Sequence, residues 1–382
     1  MDAGPLSANQ TSHVPAMTRQ RVVIVCPLGL RGAGGISRAV SYFTDAWKGQ
    51  TDAPEYKVVD PRGAGRLLWS PFYLLRTLAI VLGEFTFGNA DILHINIASN
   101  GSTLRKSIIV FVAALVSAPY ILHLHGAGYH IFFGNLPRPL KAVVRMMFGR
   151  ATRVIVLGER WRDFVCDDIG IDPERVVIMH NAVPAPDISR RIHTNGPCRI
   201  LFLGRLGARK GVPELLQALA TEHVQGLPWT AIFAGDGDAE YYKKMAADLG
   251  LGERIEFPGW VGPEAVSAYL KSMDIMVLPS YNEGLSMSVL EGMAHGLAVV
   301  TTPVGATPEA IDDGVSGLLV APGDTDALAG ALARVIEDTG LRYSLSRAAI
   351  QKCAECFDVQ VYARRMTQLY RRCRVEHHLG SS

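Results

Sequence analysis

Two doubly wound α/β domains facing each other across a cleft, with a last helix crossing back to the first, are what the sequence predicts. Three observations carry that expectation. Short β-branched apolar runs alternate with segments of helical spacing along both halves of the chain. These runs are apolar almost throughout, as parallel strands covered on both faces are. A polar, Pro-containing stretch, 181–187 and then 189–197, separates one set of runs from the other.

Taken in order, residues 1–18 mix small, polar and Pro residues without an apolar core, which reads as a loose tail rather than a signal peptide. The first domain, 19–188, has expected strands at 22–26, 92–95, 121–125, 154–157 and 176–179. No clean strand is legible before Asp60, so the acidic residue that would end a second strand in a dinucleotide fold is not expected there. The second domain, 189–358, has expected strands at 200–203, 230–233, 255–257, 275–278, 299–301 and 318–320. Residues 359–382 form a closing helix and tail. Its apolar positions Val361, Met366, Leu369 and Tyr370 give it a face to lay across the first domain.

With 382 residues the chain is long enough for two domains of ordinary size. Its hydrophobic content of 48% is high, yet no stretch reads as a bilayer span. Segment 67–83 carries Arg76 and is broken by Pro71, and 108–116 is too short. Six cysteines are scattered. Cys353 and Cys356 make a lone CxxC with no second pair, which speaks against zinc and redox chemistry and for reduced thiols in the cytosol.

A net charge of +2 conceals an asymmetry: residues 1–190 carry 20 Lys and Arg against 14 Asp and Glu, and 101–150 hold six basic side chains and no acidic one. The first half therefore has reason to meet something anionic. In a helix over 137–150, Arg138, Lys141 and Arg145 share one face, with Val143, Val144, Met147 and Phe148 on much of the remainder. The aromatic residues of 67–75 suit a headgroup boundary. Peripheral docking on an anionic membrane surface is the expectation, with no nucleic-acid partner. The alternative is that these helices only cover the sheet.

The chemistry-bearing loops lie at strand ends. The most informative is 280–291, where Glu283 and Glu291 stand seven residues apart across a loop that runs into a helix. A helix opening at the carboxyl end of a parallel strand binds anions, here through the amides of Leu285, Ser286, Met287 and Ser288. The flanking carboxylates would accept sugar or ribose hydroxyls. Two plainer readings compete: Ser288 and Glu291 fit a capping box, and 282–284 an ordinary turn. Loop 29–35 is glycine-rich, and Gly34 and Gly35 allow close approach to a phosphate or sugar. Loop 204–211 places Arg205 and Lys210 beside a helix start, where a guanidinium and an ammonium suit a diphosphate; a solvated loop is the alternative. His125 ends its strand within reach of a substrate hydroxyl, while His123 is expected in the core. Asp236 and Asp238 spell DxD, for which a tight turn is a cheaper reading than a metal site.

Together these residues resemble the retaining glycosyltransferases of the GT-B fold, in the large family that includes bacterial mannosyl- and glucosyltransferases of polysaccharide assembly. The resemblance runs from about 21 to 373 and is strongest over 199–322. The family's E-x7-E element corresponds to Glu283 and Glu291, its G-R-L-x-x-x-K-G to 204–211, and its G-x-G turn to 235–237. The His-Gly after a strand is His125-Gly126, and the asparagine after the last strand of the first domain is Asn181, followed by Ala182 where the family often has Gly. The resemblance implies that Arg205 and Lys210 hold the donor diphosphate and that Glu283 contacts the transferred sugar. It further implies that Glu291 and Gly284 to Ser286 meet the nucleotide, that His125 lies near the sugar, and that the backbone at 257–260, with Gly259, meets the base. No enzyme nucleophile and no metal or other cofactor is implied, since the leaving diphosphate itself helps deprotonate the acceptor.

The function so expected is transfer of a hexose from a GDP- or UDP-linked sugar to a lipid-linked or polysaccharide acceptor, by an enzyme on the cytoplasmic side of the membrane. Two others compete: a sugar-nucleotide epimerase of the same fold, for which only His125, Glu283 and Asp236 are available as acid or base, and a catalytically silent sugar-nucleotide-binding protein.

Overall fold

The computed structural model describes residues 19–32, 34–63, 67–186 and 196–380. The expected tail and the expected domain boundary lie outside them. Two six-stranded sheets result, every pairing parallel. The first consists of β1 (Arg21–Val25), β2 (Glu55–Val59), β3 (Ile92–Ile97), β4 (Tyr120–Leu124), β5 (Arg153–Val156) and β6 (Val176–Ile178), in the order β2-β1-β3-β4-β5-β6. The second consists of β7 (Cys198–Leu203), β8 (Trp229–Ala234), β9 (Ile255–Gly259), β10 (Ile275–Leu278), β11 (Ala298–Thr301) and β12 (Leu318–Leu319), in the order β12-β11-β10-β7-β8-β9.

β2 corrects the sequence reading. It is an edge strand in register with β1, and its exposed Glu55 and Lys57 alternate with more protected Tyr56 and Val58. Edge strands carry such charges because one side is solvated, so the continuous apolar signal is missing. Asp60 therefore does follow a second strand, and its carboxylate is used locally: Oδ1 accepts the backbone N–H groups of Leu28, Arg62 and Gly63 at 2.9, 2.8 and 3.0 Å.

The strand period places Val22 and Ile24 on one face of the first sheet and Val23 and Val25 on the other, each set within its own apolar core. Over the Val22 face lie α1 (Gly35–Trp47) and the closing helix, Val359–Gly380, as expected from its apolar positions. Trp47, Tyr362, Met366 and Tyr370 are buried between them, and the Trp47 indole donates to Ala363 O at 3.1 Å. Over the opposite face lie α2 (Ser70–Thr86), α3 (Gly101–Leu115) and the helix Arg138–Arg150, packed side by side. In each sheet the strand order reverses once, between β1 and β3 and between β7 and β10. At such a switch point adjacent crossovers leave on opposite faces and open a crevice at the carboxyl ends of the strands.

Candidate functional site

The second domain's crevice is built by the two loops the sequence singles out. β7 runs into 204–211, and β10 into the loop before the helix Met287–Ala294. Gly211 joins them: its φ is +71°, and a Cβ there would stand 2.1 Å from Pro279 O. The close approach seats Lys210 against Glu283 in an ion pair whose side chains are 14% and 12% exposed. Arg209 donates to Asn282 O at 3.0 Å. Arg205 is exposed on the cleft wall and makes no hydrogen bond or ion pair among the described residues. It is an uncommitted cation beside a committed one.

The turn at 235–237 is held against the same loop. Leu206 N donates to Asp236 O at 2.6 Å, and a Cβ on Gly237, at φ +122°, would lie 2.2 Å from Leu206 O. The Asp238 carboxylate accepts Tyr241 N at 3.2 Å and caps the helix Ala239–Asp248. The DxD spelling is thus a turn followed by a cap. Among the described residues no group of three or more His, Cys, Asp or Glu is arranged to hold a metal.

The two domains approach closely at Gly284, where a Cβ would meet Leu157 Cδ1 at 3.0 Å and His125 O at 3.2 Å. Asn181 crosses the same seam, its Nδ2 donating to Leu285 O at 2.8 Å. Beside it opens a cleft of about 650 Å³ whose walls include Gly34, Gly35, His125, Arg205, Lys210, and Glu283 to Ser288. The structure so brings together Glu283, Gly284, Leu285, Ser286, His125, Arg205, Lys210, Gly34 and Gly35. Gly259 is off the wall, pairing its carbonyl with Gly235 N at 2.8 Å; the exposed Trp260 and the partly buried Val261 line the cleft instead.

His125 is half-buried at the end of β4. Its Nε2 lies 2.8 Å from Asn96 Oδ1, and Asn96 Nδ2 donates to Val25 O at 3.1 Å. The amide orientation fixes Oδ1 as acceptor, so Nε2 carries the proton and Nδ1 is left as an acceptor. Burial, helped by His94, pushes the His125 pKa down to about 3, so the ring is neutral. His123 lies in the core as expected, in contact with His94 at 3.2 Å.

Glu291 departs from the capping-box reading, and its carboxylate is engaged across the domain seam. It lies within the helix Met287–Ala294, not in its first turn, so it caps nothing. It is 2% exposed and absent from the cleft wall, its carboxylate bonded to Arg38 at 2.9 Å and to Tyr42 at 2.6 Å, both on α1 of the first domain. Burial raises its pKa while Arg38 and Tyr42 hold it back. A second interdomain carboxylate, Glu309, accepts Glu159 N at 2.9 Å and pairs with His180 at 2.7 Å. Sequence reasoning missed Arg38, Tyr42, Arg62, Asn96, His180 and Glu309. Only Arg38 and Tyr42, one turn apart just after a glycine-rich loop, left a signal that could have been used.

Two sheets of this topology with a cleft between them are the GT-B architecture. The same arrangement is found in a sucrose-phosphate synthase from Thermosynechococcus elongatus, with TM-score 0.76, 19% identity and coverage of 93% of this chain and 99% of that one. It is found again in HepE from Anabaena, solved with UDP-glucose, with TM-score 0.70, 18% identity and coverage of 92% and 99%. The model of the group 1 glycosyl transferases matches residues 197–338, and that of glycosyltransferase family 4 matches residues 30–185. Both models are of glycosyltransferases and together they match 298 of the 382 residues, 142 and 156, so the chain belongs to the glycosyltransferases. A glycogen synthase of Mycobacterium tuberculosis (strain CDC 1551 / Oshkosh) is 28% identical over 269 residues, which span 68% of this chain and 65% of that relative.

Proposed function

We propose that the protein is a retaining hexosyltransferase that moves a hexose from a UDP- or GDP-linked sugar to a lipid-linked or polysaccharide acceptor in cell-surface polysaccharide biosynthesis. The observation that carries this is the convergence of Arg205, Lys210 and Glu283 at the switch point of the second sheet, beside a helix start. The UDP-glucose bound by HepE is a donor of the chemistry this crevice suits.

Arg205 and Lys210 neutralise the diphosphate as it leaves, and the helix Met287–Ala294 adds its N-terminal dipole. Glu283, exchanged out of its pair with Lys210, accepts hydrogen bonds from the hexose hydroxyls. Nδ1 of His125 offers an acceptor on the opposite wall. The bond between the anomeric carbon and the diphosphate oxygen breaks. A bond to the acceptor oxygen forms on the same face, and the acceptor proton passes to the departing phosphate. Positive charge already stands where a metal would otherwise sit, so the reaction is metal-independent. For Glu291 to hold the ribose, Arg38 and Tyr42 must give way. The enzyme works as a peripheral protein on the cytoplasmic face of the membrane, docked through α2 and α3. These expose Phe72, Leu75, Leu104, Phe111 and Leu115, and no helix of the described residues is long and apolar enough to cross a membrane.

Incubating the pure protein with labelled UDP- and GDP-hexoses in EDTA tests the reading. Slow release of nucleoside diphosphate from one donor is expected. Formation of an epimer, no turnover at all, or turnover that returns only with Mg²⁺ or Mn²⁺ would contradict it.

A further inference from the structure

The first domain has its own switch point, between β1 and β3, and that crevice holds a cluster of charge the donor chemistry does not use. α3 begins there, after β3, and carries Arg105 and Lys106; Arg62 follows β2 and reaches the cleft wall. Lys106 is 0% exposed, yet its ammonium makes one hydrogen bond among the described residues, to Ser102 Oγ at 3.1 Å, and no ion pair. Arg105 has its Nε buried without a partner. Asp60, a carboxylate whose charge both of these cations feel, already accepts three backbone N–H groups through Oδ1. Two non-glycine residues at the rim, Leu28 and Asn100, are held at φ +66° and +59°, a strained geometry that persists where the surroundings enforce it.

A buried ammonium without a paired counter-ion is costly, and the repulsion of Arg105, with a smaller one from Arg62, adds to that cost against the attraction of Cys26 and Asp60. A dianionic ligand entering from the cleft would offset it, with the Arg fork supplying paired donors to phosphate oxygens. We propose that Arg62, Arg105 and Lys106 form an anion site that takes the phosphate or diphosphate group of a phosphorylated glycosyl acceptor. The proposal rests on the transferase reading of the cleft and names the class of its second substrate. The same helix that holds Lys106 inward exposes Leu104, Ile108, Phe111 and Leu115, so a lipid attached to that phosphate would find an apolar surface beside it.

The experiment measures binding of inorganic pyrophosphate to the full chain by calorimetry, with UDP or GDP saturating the donor site, in the native protein and in Lys106→Met and Arg105→Gln. Pyrophosphate affinity is expected to fall at least ~10-fold in each variant, as when a charged hydrogen-bond partner is lost, while nucleotide affinity is unchanged and reports an intact fold. No pyrophosphate binding in the native protein, or equal binding in all three, would overturn the anion site and leave the donor reading standing. Failure of both nucleotides to bind would overturn the donor reading, and the pyrophosphate comparison on the free chain would still decide the anion site. Phosphatidylcholine vesicles containing a polyprenyl diphosphate distinguish the two sources of phosphate. Their capture by the native protein but not by Lys106→Met assigns the site to a lipid headgroup. Pyrophosphate binding without vesicle capture assigns it to a soluble sugar phosphate.

Discussion

Lys210 and Glu283 neutralise each other on the cleft wall, and in the proposed reaction a nucleotide sugar divides them between diphosphate and hexose. Glu283→Gln is therefore expected to lower kcat by ~10²-fold, the effect of losing a hydrogen bond made in the transition state. Lys210→Ala should also weaken nucleoside diphosphate binding. Steady-state kinetics with folding checked by circular dichroism measures both, and near-normal turnover in both variants would remove these residues from the site. Lys106 gives a pH-dependent stability prediction. Burial, then repulsion by Arg105, outweighs attraction by Cys26 and Asp60 and, with a smaller repulsion from Arg62, pushes its pKa from 10.5 down to about 7. Between those values the unfolded chain holds a proton that the folded one has lost, so stability rises with pH across the window and the cost of the buried charge is fully present below it. Lys106→Met should raise Tm by ~2 °C or more at pH 6 and by less at pH 10; calorimetry showing the same gain at both would contradict the assigned ionisation. Glu283, Arg205 and Lys210 were legible because their residue types sit at motif spacing on strand ends. Arg38 and Tyr42 were not, because what they bind lies 253 and 249 residues away in sequence, a separation that no local pattern records.

At the scale of elements, strands buried on both faces announced themselves through continuous apolar runs, and β2 did not because one side of it is solvated. The helix Arg138–Arg150 covers the sheet, the alternative to docking, with only part of its apolar set. Val144, Met147 and Phe148 are core, whereas Leu140, Val143 and Met146 are exposed. Two of the three basic side chains on its expected docking face, Arg138, Lys141 and Arg145, are tied to neighbours, Lys141 to Gly134 O at 2.8 Å and Arg145 to Asp168 O at 3.1 Å. The proposed docking surface is accordingly that of α2 and α3, where Phe72 and Phe111 are 62% and 61% exposed. Sedimentation with anionic vesicles is expected to recover the native protein, less so in high salt. The Phe72→Ser, Phe111→Ser double variant should bind at least ~10-fold more weakly, since each buried aromatic contributes roughly 1.5–3 kcal/mol. Equal partition of native and variant would remove this face from the proposal.

At the scale of the whole molecule, two independent crevices face one another, and the interdomain contacts decide how they meet. Arg38 and Tyr42 on Glu291, Asn181 on Leu285, and His180 with the Glu159 amide on Glu309 all cross the seam. The closing helix belongs to the first domain's core although it ends the chain, with Tyr370 bonded to His94 at 2.6 Å. Its apolar stripe made that return legible; the contacts across the seam were not, because each is a single polar side chain meeting a distant partner. The sheet order sets a crevice holding Arg205 and Lys210 beside a first-domain crevice with its own cations, and in the proposed reaction transfer on one face of the anomeric carbon follows from a leaving group that stays where it departs. Retention is most directly tested by proton NMR of the hexose first released when the native protein hydrolyses an α-linked UDP- or GDP-hexose, recorded before the anomers equilibrate. The account predicts nucleoside diphosphate and the α-anomer; the β-anomer, or no nucleoside diphosphate from either donor, would contradict it.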